Sequence, residues 1–162
     1  MRRGAPQWKR REARTARPHP PRSFPSVMSV PYADLHMHTT YSDGLLDPTE
    51  LLAAADACGL RVMAITDHDT LDGWEAAQEP AAASDVDLVP GVELSVTVGD
   101  REVHLLGYGF DPLHEGLRAH LEGVADARRA RARAMVDKLQ ARGVDITLAA
   151  VHAAADGASA IG

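Results

Sequence analysis

Ala33-Asp34-Leu35-His36-Met37-His38-Thr39, followed closely by Ser42-Asp43-Gly44 and then by Asp47-Pro48-Thr49-Glu50, opens the patterned part of this chain. Residues 32–39 have strand character and end in the polar turn Ser42-Asp43-Gly44. Alternate side chains of a strand share a face, so Asp34, His36 and His38 are expected to point the same way. Asp47 stands where an N-cap belongs, Pro48 suits the first helical position, and Glu50 completes a capping-box spacing. The helix they start runs through Leu51, Leu52 and Ala55 and stops at Gly59.

Downstream, residues 62–66 read as a short buried strand, and a helix is predicted from near Leu71 as far as Pro80, with Asp69 or Thr70 as its cap. Residues 88–98 and 102–108 read as two more strands joined by a turn at Gly99-Asp100. Strand, helix, strand, helix, strand predicts an α/β fold with a parallel core. Past Pro112 the pattern changes. Leu117, Leu121, Val124, Arg128, Arg131, Met135 and Leu139 recur at steps of three and four up to Gly143, which predicts one long amphipathic helix with Arg118, Arg129 and Arg133 on its far face. Thr147 is placed to cap a short helix over residues 148–155, ahead of a flexible Asp156-Gly157. A closed βα barrel takes roughly 200 residues or more, so within these 162 residues the sheet is expected to be unfinished.

Upstream, residues 1–27 hold eight Lys or Arg against a single acid, Glu12, so the net charge of −6 divides into +7 there and −13 on the rest. This Arg/Pro-rich stretch, with no periodicity, is expected to be a disordered basic tail over residues 1–30; the alternative is that translation starts at Met28. It has no apolar segment of a secretory signal, and Pro6, Pro18, Pro20 and Pro21 argue against an amphipathic targeting helix, so a cytoplasmic location is expected. No stretch approaches the ~18 apolar residues of a membrane span. The lone Cys58 excludes an internal disulfide and a Cys-rich zinc module, and its place in the apolar run 51–60 predicts a buried thiol.

The acidic body suits partners that bring cations, and the candidate ligands are spread over the predicted strands. His36 and His38 on one strand face are able to share a metal, with Asp34 near to orient them. Asp43 follows in the loop. Thr66-Asp67-His68-Asp69 ends the second strand, at the carboxyl edge where α/β active sites lie. Glu93 closes Pro90-Gly91-Val92-Glu93, and His104 lies within the apolar stretch 103–108. Singly, each has an ordinary structural explanation: edge-strand histidines, a turn, a helix cap, a surface acid, a core histidine. A mixed imidazole and carboxylate set suits Mn, Fe or Zn better than Mg.

Asp-Leu-His-Met-His-Thr with Ser-Asp-Gly, then Thr-Asp-His-Asp, then Gly-Val-Glu with His-Leu-Leu-Gly-Tyr, in that order, resemble the motifs of the PHP (polymerase and histidinol phosphatase) family across residues 32–108. The resemblance is strongest to its stand-alone phosphoesterases, among them 3′,5′-nucleoside bisphosphate phosphatases and 5′-end RNA exonucleases. It implies the first half of a distorted (βα)7 TIM-like barrel, with residues 31–112 as the N-terminal part of that barrel and residues 113–162 as a helical insert. It also implies two or three divalent metal ions: His36 and His38 on the first, Glu93 bridging the first and second, His104 on the second, and Asp43 and His68 on a third. Asp34, Asp67 and Asp69 would stand behind these ligands. His114, His120 and His152 are expected to be surface residues.

The function so implied is hydrolysis of a phosphate ester on a nucleotide or RNA 5′ end by metal-activated water, with no covalent nucleophile. Two alternatives remain: a histidinol-phosphatase-like enzyme, and a non-catalytic truncated fragment. The latter arises because the family pattern continues past Ala160-Ile161-Gly162 into an Arg-Pro-His and a later Asp and His that complete the metal sites.

Overall fold

The computed structural model describes residues 33–155; the basic tail and the turn expected at Asp156-Gly157 lie outside them. The elements follow in the order β1 (Ala33–Met37), α1 (Pro48–Ala57), β2 (Val62–Ile65), α2 (Asp72–Ala82), β3 (Asp87–Val98), β4 (Arg101–Tyr108), α3 (Glu115–Gln140) and α4 (Leu148–Ala154). One four-stranded sheet has the order β1-β2-β3-β4. β1 pairs with β2 and β2 with β3 in parallel, whereas β4 returns antiparallel to β3, register running from Gly91 opposite Tyr108 to Val98 opposite Arg101. The fold is α/β, as the alternation of strand and helix patterns predicts.

β2 is only four residues long, and β3 is twelve. The first part of β3 pairs with β2 as far as Ile65 opposite Pro90, and the remainder projects past the end of β2 as a hairpin with β4. This overhang places Glu93 beyond the carboxyl end of β2, in the middle of β3 rather than at its end.

α1 begins as its sequence requires. Asp47 accepts from the backbone N–H groups of Thr49 and Glu50, each at 2.8 Å, and the Asp47 N–H donates to Glu50 Oε2 at 3.1 Å. The helix buries Pro48, Leu52 and Ala55. Leu52 and Ala55 pack with Leu60, Met63, Ile65, Trp74, Ala77, Ala81 and Val86 into a core between the sheet and the two helices α1 and α2. Cys58, expected to be buried, is exposed at the C-cap. The buried face of α1 runs 48, 52, 55, and position 58 falls at the end of the helix, clear of that core.

α2 also departs from expectation. Pro80 lies inside the helix, which continues to Ala82. Its N-cap is Leu71, with no side-chain cap; the Thr70 hydroxyl accepts from the Asp72 N–H, while the Asp69 side chain is directed elsewhere.

α3 docks through Leu121 and the half-buried Leu117 against Leu71, Val92, Leu94 and Phe110. Its lower half buries Ala132 and Val136 and leaves Met135 and Leu139 largely exposed. From Arg128 the buried positions advance by fours, so the stripe drifts off the predicted 131, 135 and 139. Arg118, expected on the far face, instead pairs with Glu75 and donates to the Pro112 carbonyl at 2.9 Å. Thr147 caps α4 by accepting from the Ala150 N–H. Among the described residues no helix is long and apolar enough to cross a membrane.

Replacing Asp47 with Ala removes the acceptor of both bonds at the start of α1. The expected cost is about 1 kcal/mol of stability, read as a lower urea midpoint with an unchanged slope.

Candidate metal centre

Four imidazoles, two from strands β1 and β4 and two from the segments just past β1 and β2, meet on a single carboxylate. Glu93 is 4% exposed. Its Oε2 lies 2.9 Å from His36 Nε2, 3.1 Å from His38 Nε2 and 3.9 Å from His68 Nε2, and its Oε1 lies 2.8 Å from His104 Nδ1. Asp43 flanks the group, with Oδ1 at 3.2 Å from His38 Nδ1 and Oδ2 at 3.6 Å from His68 Nε2. The rings form a chain, with centroids of His36 and His38 at 5.2 Å, His38 and His68 at 4.8 Å, and His68 and His104 at 4.8 Å.

Local structure explains each position. His36 lies on β1 and His38 just past it; the register of β1 against β2 slips between Asp34 and Met37, a bulge of the kind that re-aims side chains near sites. Asp34 therefore does not hold a ring: its Oδ1 accepts from the His36 backbone N–H at 3.1 Å. On the hairpin, Ser95 is opposite His104 and Glu93 opposite Leu106, which sets His104 diagonally beside Glu93 on the same face. His68 forms a parallel bridge to Glu93 past the end of β2.

Asp67 takes no part in the ring cluster but holds the loop that does. Only 1% exposed, it accepts from the Thr39 N–H and hydroxyl, each at 2.7 Å, and from the Ser42 hydroxyl at 2.6 Å. This fastens the segment from His38 to Asp43 to the end of β2. Two glycines make the closeness possible: a Cβ on Gly73 would lie 2.0 Å from Asp67 Oδ2, and one on Gly44 would lie 2.2 Å from the His38 carbonyl oxygen. Asp69 turns away from the rings, accepting from the Ser95 N–H at 2.8 Å and from Arg128 Nη2 at 2.5 Å.

The electrostatics match. For Glu93, burial is the largest single influence and pushes its pKa up, yet the hydrogen bond with His36 and the charges of His68, His36 and His38 together outweigh it and hold the carboxyl below its ordinary value. Asp69 is likewise lowered: burial pushes upward, and the bonds from Ser95 and Arg128 and the Arg128 charge overcome it. The Tyr108 hydroxyl is raised by burial and by the negative charges of Glu93 and Asp34.

Three overlapping groups, His36/His38/Glu93, His38/Asp43/His68 and His68/Glu93/His104, each offer ligand atoms within 4.8 Å of one another. Three imidazole nitrogens crowd a single Glu93 oxygen, an arrangement that protons serve poorly and divalent ions serve well. A set of imidazole and carboxylate donors fits a divalent metal ion.

All six predicted ligands are thus brought together, and the three other aspartates stand around them. His120 and His152 are exposed, as expected. His114 is exposed but also caps α3, its Nδ1 accepting from the Leu117 N–H. What sequence reasoning missed is the role of Arg128 and Ser95 beside Asp69; a lone Arg on a helical stripe and a Ser within a strand carry no local signal. A cleft of about 370 Å³ opens beside His68, between the start of α2 and α3, and Arg118, Arg128 and Arg129 line it. A larger groove of about 480 Å³ along α3 includes none of the ring cluster.

Residues 34–158 match the PHP domain family. The chain is 40% identical over 124 residues to a 5′-3′ exoribonuclease of Haemophilus influenzae, covering 76% of this chain and 45% of that protein. It is 40% identical over 111 residues to a 3′,5′-nucleoside bisphosphate phosphatase of Chromobacterium violaceum, covering 68% and 39%. A solved structure from Bifidobacterium adolescentis, named as a candidate metal-dependent phosphoesterase, superposes with a TM-score of 0.71 at 33% identity, covering 80% of this chain and 46% of that one. The chain therefore spans less than half the length of these relatives.

A carboxyl with a lowered folded pKa contributes stability that is complete above its unfolded value and lost as pH falls through the folded value. For Asp69 that loss sets in below the ordinary value of 3.8. Urea unfolding followed from about pH 6 to about pH 3 is expected to show a smaller acid loss in Asp69→Asn than in the unsubstituted protein.

Proposed function

This chain belongs to the PHP domain family, and from that premise we propose that it carries part of the catalytic centre of a metal-dependent phosphoesterase that hydrolyses a phosphate ester on a nucleotide or RNA 5′ end. The carrying observation is the convergence of four imidazoles on the buried Glu93, with Asp43 beside His38 and His68. The relatives named as a nucleoside bisphosphate phosphatase and a 5′-3′ exoribonuclease support the choice of substrate. In this reading residues 31–112 form the first part of a distorted (βα)7 barrel and residues 113–162 a helical insert, and the protein works in the cytoplasm, where nucleotides and RNA ends are found.

His36 and His38 would hold a first ion with Glu93, Glu93 and His104 would hold a second, and Asp43 with His68 would hold a third. Two or three ions of Mn, Fe or Zn would suit these donors. When bound, such ions supply Lewis acidity that activates water near neutral pH and offsets the charge of the phosphoryl oxygens. The chain's own groups do the rest. Asp67 keeps the loop bearing His38 and Asp43 at the end of β2. Glu93 is held below its ordinary value because its imidazole neighbours outweigh its burial, so its carboxyl is ionised at neutral pH. Among the described residues, Arg129 beside the cleft pairs with Asp126, in an exposed pair on its own helix. Such a pair is weak enough to exchange for a phosphate of the incoming substrate.

Elemental analysis of the purified chain after dialysis is expected to find about two divalent ions. His38→Ala and Glu93→Ala should each lower that content, and His114→Ala should not. Equal retention in all three variants would sink the ligand assignment. Phosphate release is then compared between a nucleoside 3′,5′-bisphosphate and histidinol phosphate. Release from the first supports this reading, and release from the second alone points to a histidinol-phosphatase-like enzyme. Bound ions without release from either point to a non-catalytic fragment.

A further inference from the structure

Arg128 lies near the middle of α3, and its guanidinium crosses to the end of β2. Nη2 reaches Asp69 Oδ2 at 2.5 Å and donates to Ser95 Oγ at 3.1 Å. The Asp69 side chain is 3% exposed and that of Arg128 22%, so the pair is largely out of water and the loss of one partner is costly. Asp69 is also the one non-glycine residue with positive φ, +54°, among the described residues. Aspartate enters that region more readily than most residues, but still at a cost that its surroundings must offset.

The surroundings here are three bonds. Asp69 Oδ1 accepts from the Ser95 N–H at 2.8 Å, Oδ2 takes Arg128, and the Asp69 N–H donates to the Glu93 carbonyl at 2.9 Å. Two residues back, the Asp67 carbonyl accepts from the Glu93 N–H at 3.3 Å. The segment that carries His68 is therefore laced to the segment that carries Glu93, and the lacing is closed from outside by a helix that contributes no ligand. No other arginine of α3 with a described contact does this: Arg118 holds Glu75 and the Pro112 carbonyl, and Arg129 holds Asp126.

We propose that Arg128 is a positioning residue of the ion site: by holding Asp69 in its left-handed conformation, it sets where the His68 imidazole and the Glu93 carboxylate stand. The proposal rests on the ion-binding reading of the cluster. It makes α3 part of the site's geometry. The group His38/Asp43/His68 depends on the clamp through His68, and the two groups that share Glu93 depend on it through the bond from the Asp69 N–H.

The test uses the full chain in four forms: unsubstituted, Arg128→Ala, Arg128→Lys and Arg129→Ala. Cobalt(II) binding is followed by its visible absorption, and amide hydrogen exchange at Asp69 is measured without metal. Arg128→Ala is expected to weaken cobalt binding about tenfold to a hundredfold and to shift the absorption band. It should also speed exchange of the Asp69 amide by about tenfold or more. Arg128→Lys should recover part of both effects, and Arg129→Ala should match the unsubstituted chain. Unchanged cobalt binding and an unchanged Asp69 amide in Arg128→Ala would overturn the proposal, as would an equal effect from Arg129→Ala. If the unsubstituted chain binds no cobalt, the ion-site reading fails by itself. The exchange rate then decides the positioning role alone: faster exchange in Arg128→Ala upholds it, and unchanged exchange ends it.

Discussion

Glu93 is a buried carboxylate, and a buried charge is tolerated only where partners meet it. Its partners arrive from positions 36, 38, 68 and 104, from both sides of the sheet order and from the loop between them. The strand order, the early end of β2 and the overhang of the β3–β4 hairpin are the conditions under which four imidazoles reach one carboxylate. The remaining architecture serves that meeting point. The apolar core between the sheet and α1 and α2 fixes the strands, and the strands deliver the rings.

The same logic explains why residues without ligand chemistry are so constrained. Asp67 is buried as the core side chains are, and the described bonds of its carboxylate go to Thr39 and Ser42. It acts as a fastening between the end of β2 and the loop after β1. Gly73 and Gly44 belong to the same fastening, because α2 and the turn approach too closely for a Cβ at either position. Asp69, one residue past His68, performs the matching task toward β3 and α3. The tetrapeptide Thr66-Asp67-His68-Asp69 thus combines one ring with two carboxylates that tie it down on either side, and the Thr66 N–H bonds the Met37 carbonyl to keep β1 alongside.

Charge distribution and membership in the PHP domain family point the same way. An acidic body gathers carboxylates and imidazoles at the carboxyl ends of its parallel strands, where together they offer ligand atoms for a cation. Arginines meanwhile line the cleft next to those ends. Asp69, Asp72 and Glu122 line the same cleft, so charges of both signs stand beside His68.

Much was legible in the residues alone. Period-two and period-four patterns, the Asp47 capping box and the turn at Gly99-Asp100 set the elements, because these signals act within a few residues. The six ring-cluster residues were legible as candidates as well, through motifs that follow one another in a fixed order along the chain. The rest depended on contacts distant in sequence. Cys58 turned outward because the buried face of α1 is set by what packs on it. Pro80 stayed within α2 because the packing of Ala77 and Ala81 carries the helix past it. Glu93 lies in mid-strand because β2 ends before β3 does. Arg128 meets Asp69 across 59 positions of chain, a contact that no local pattern announces. Local stereochemistry and hydrophobic period were the sequence's to determine. Which side chains share a desolvated space was decided by tertiary packing alone, since burial and charge pairing are properties of the assembled neighbours.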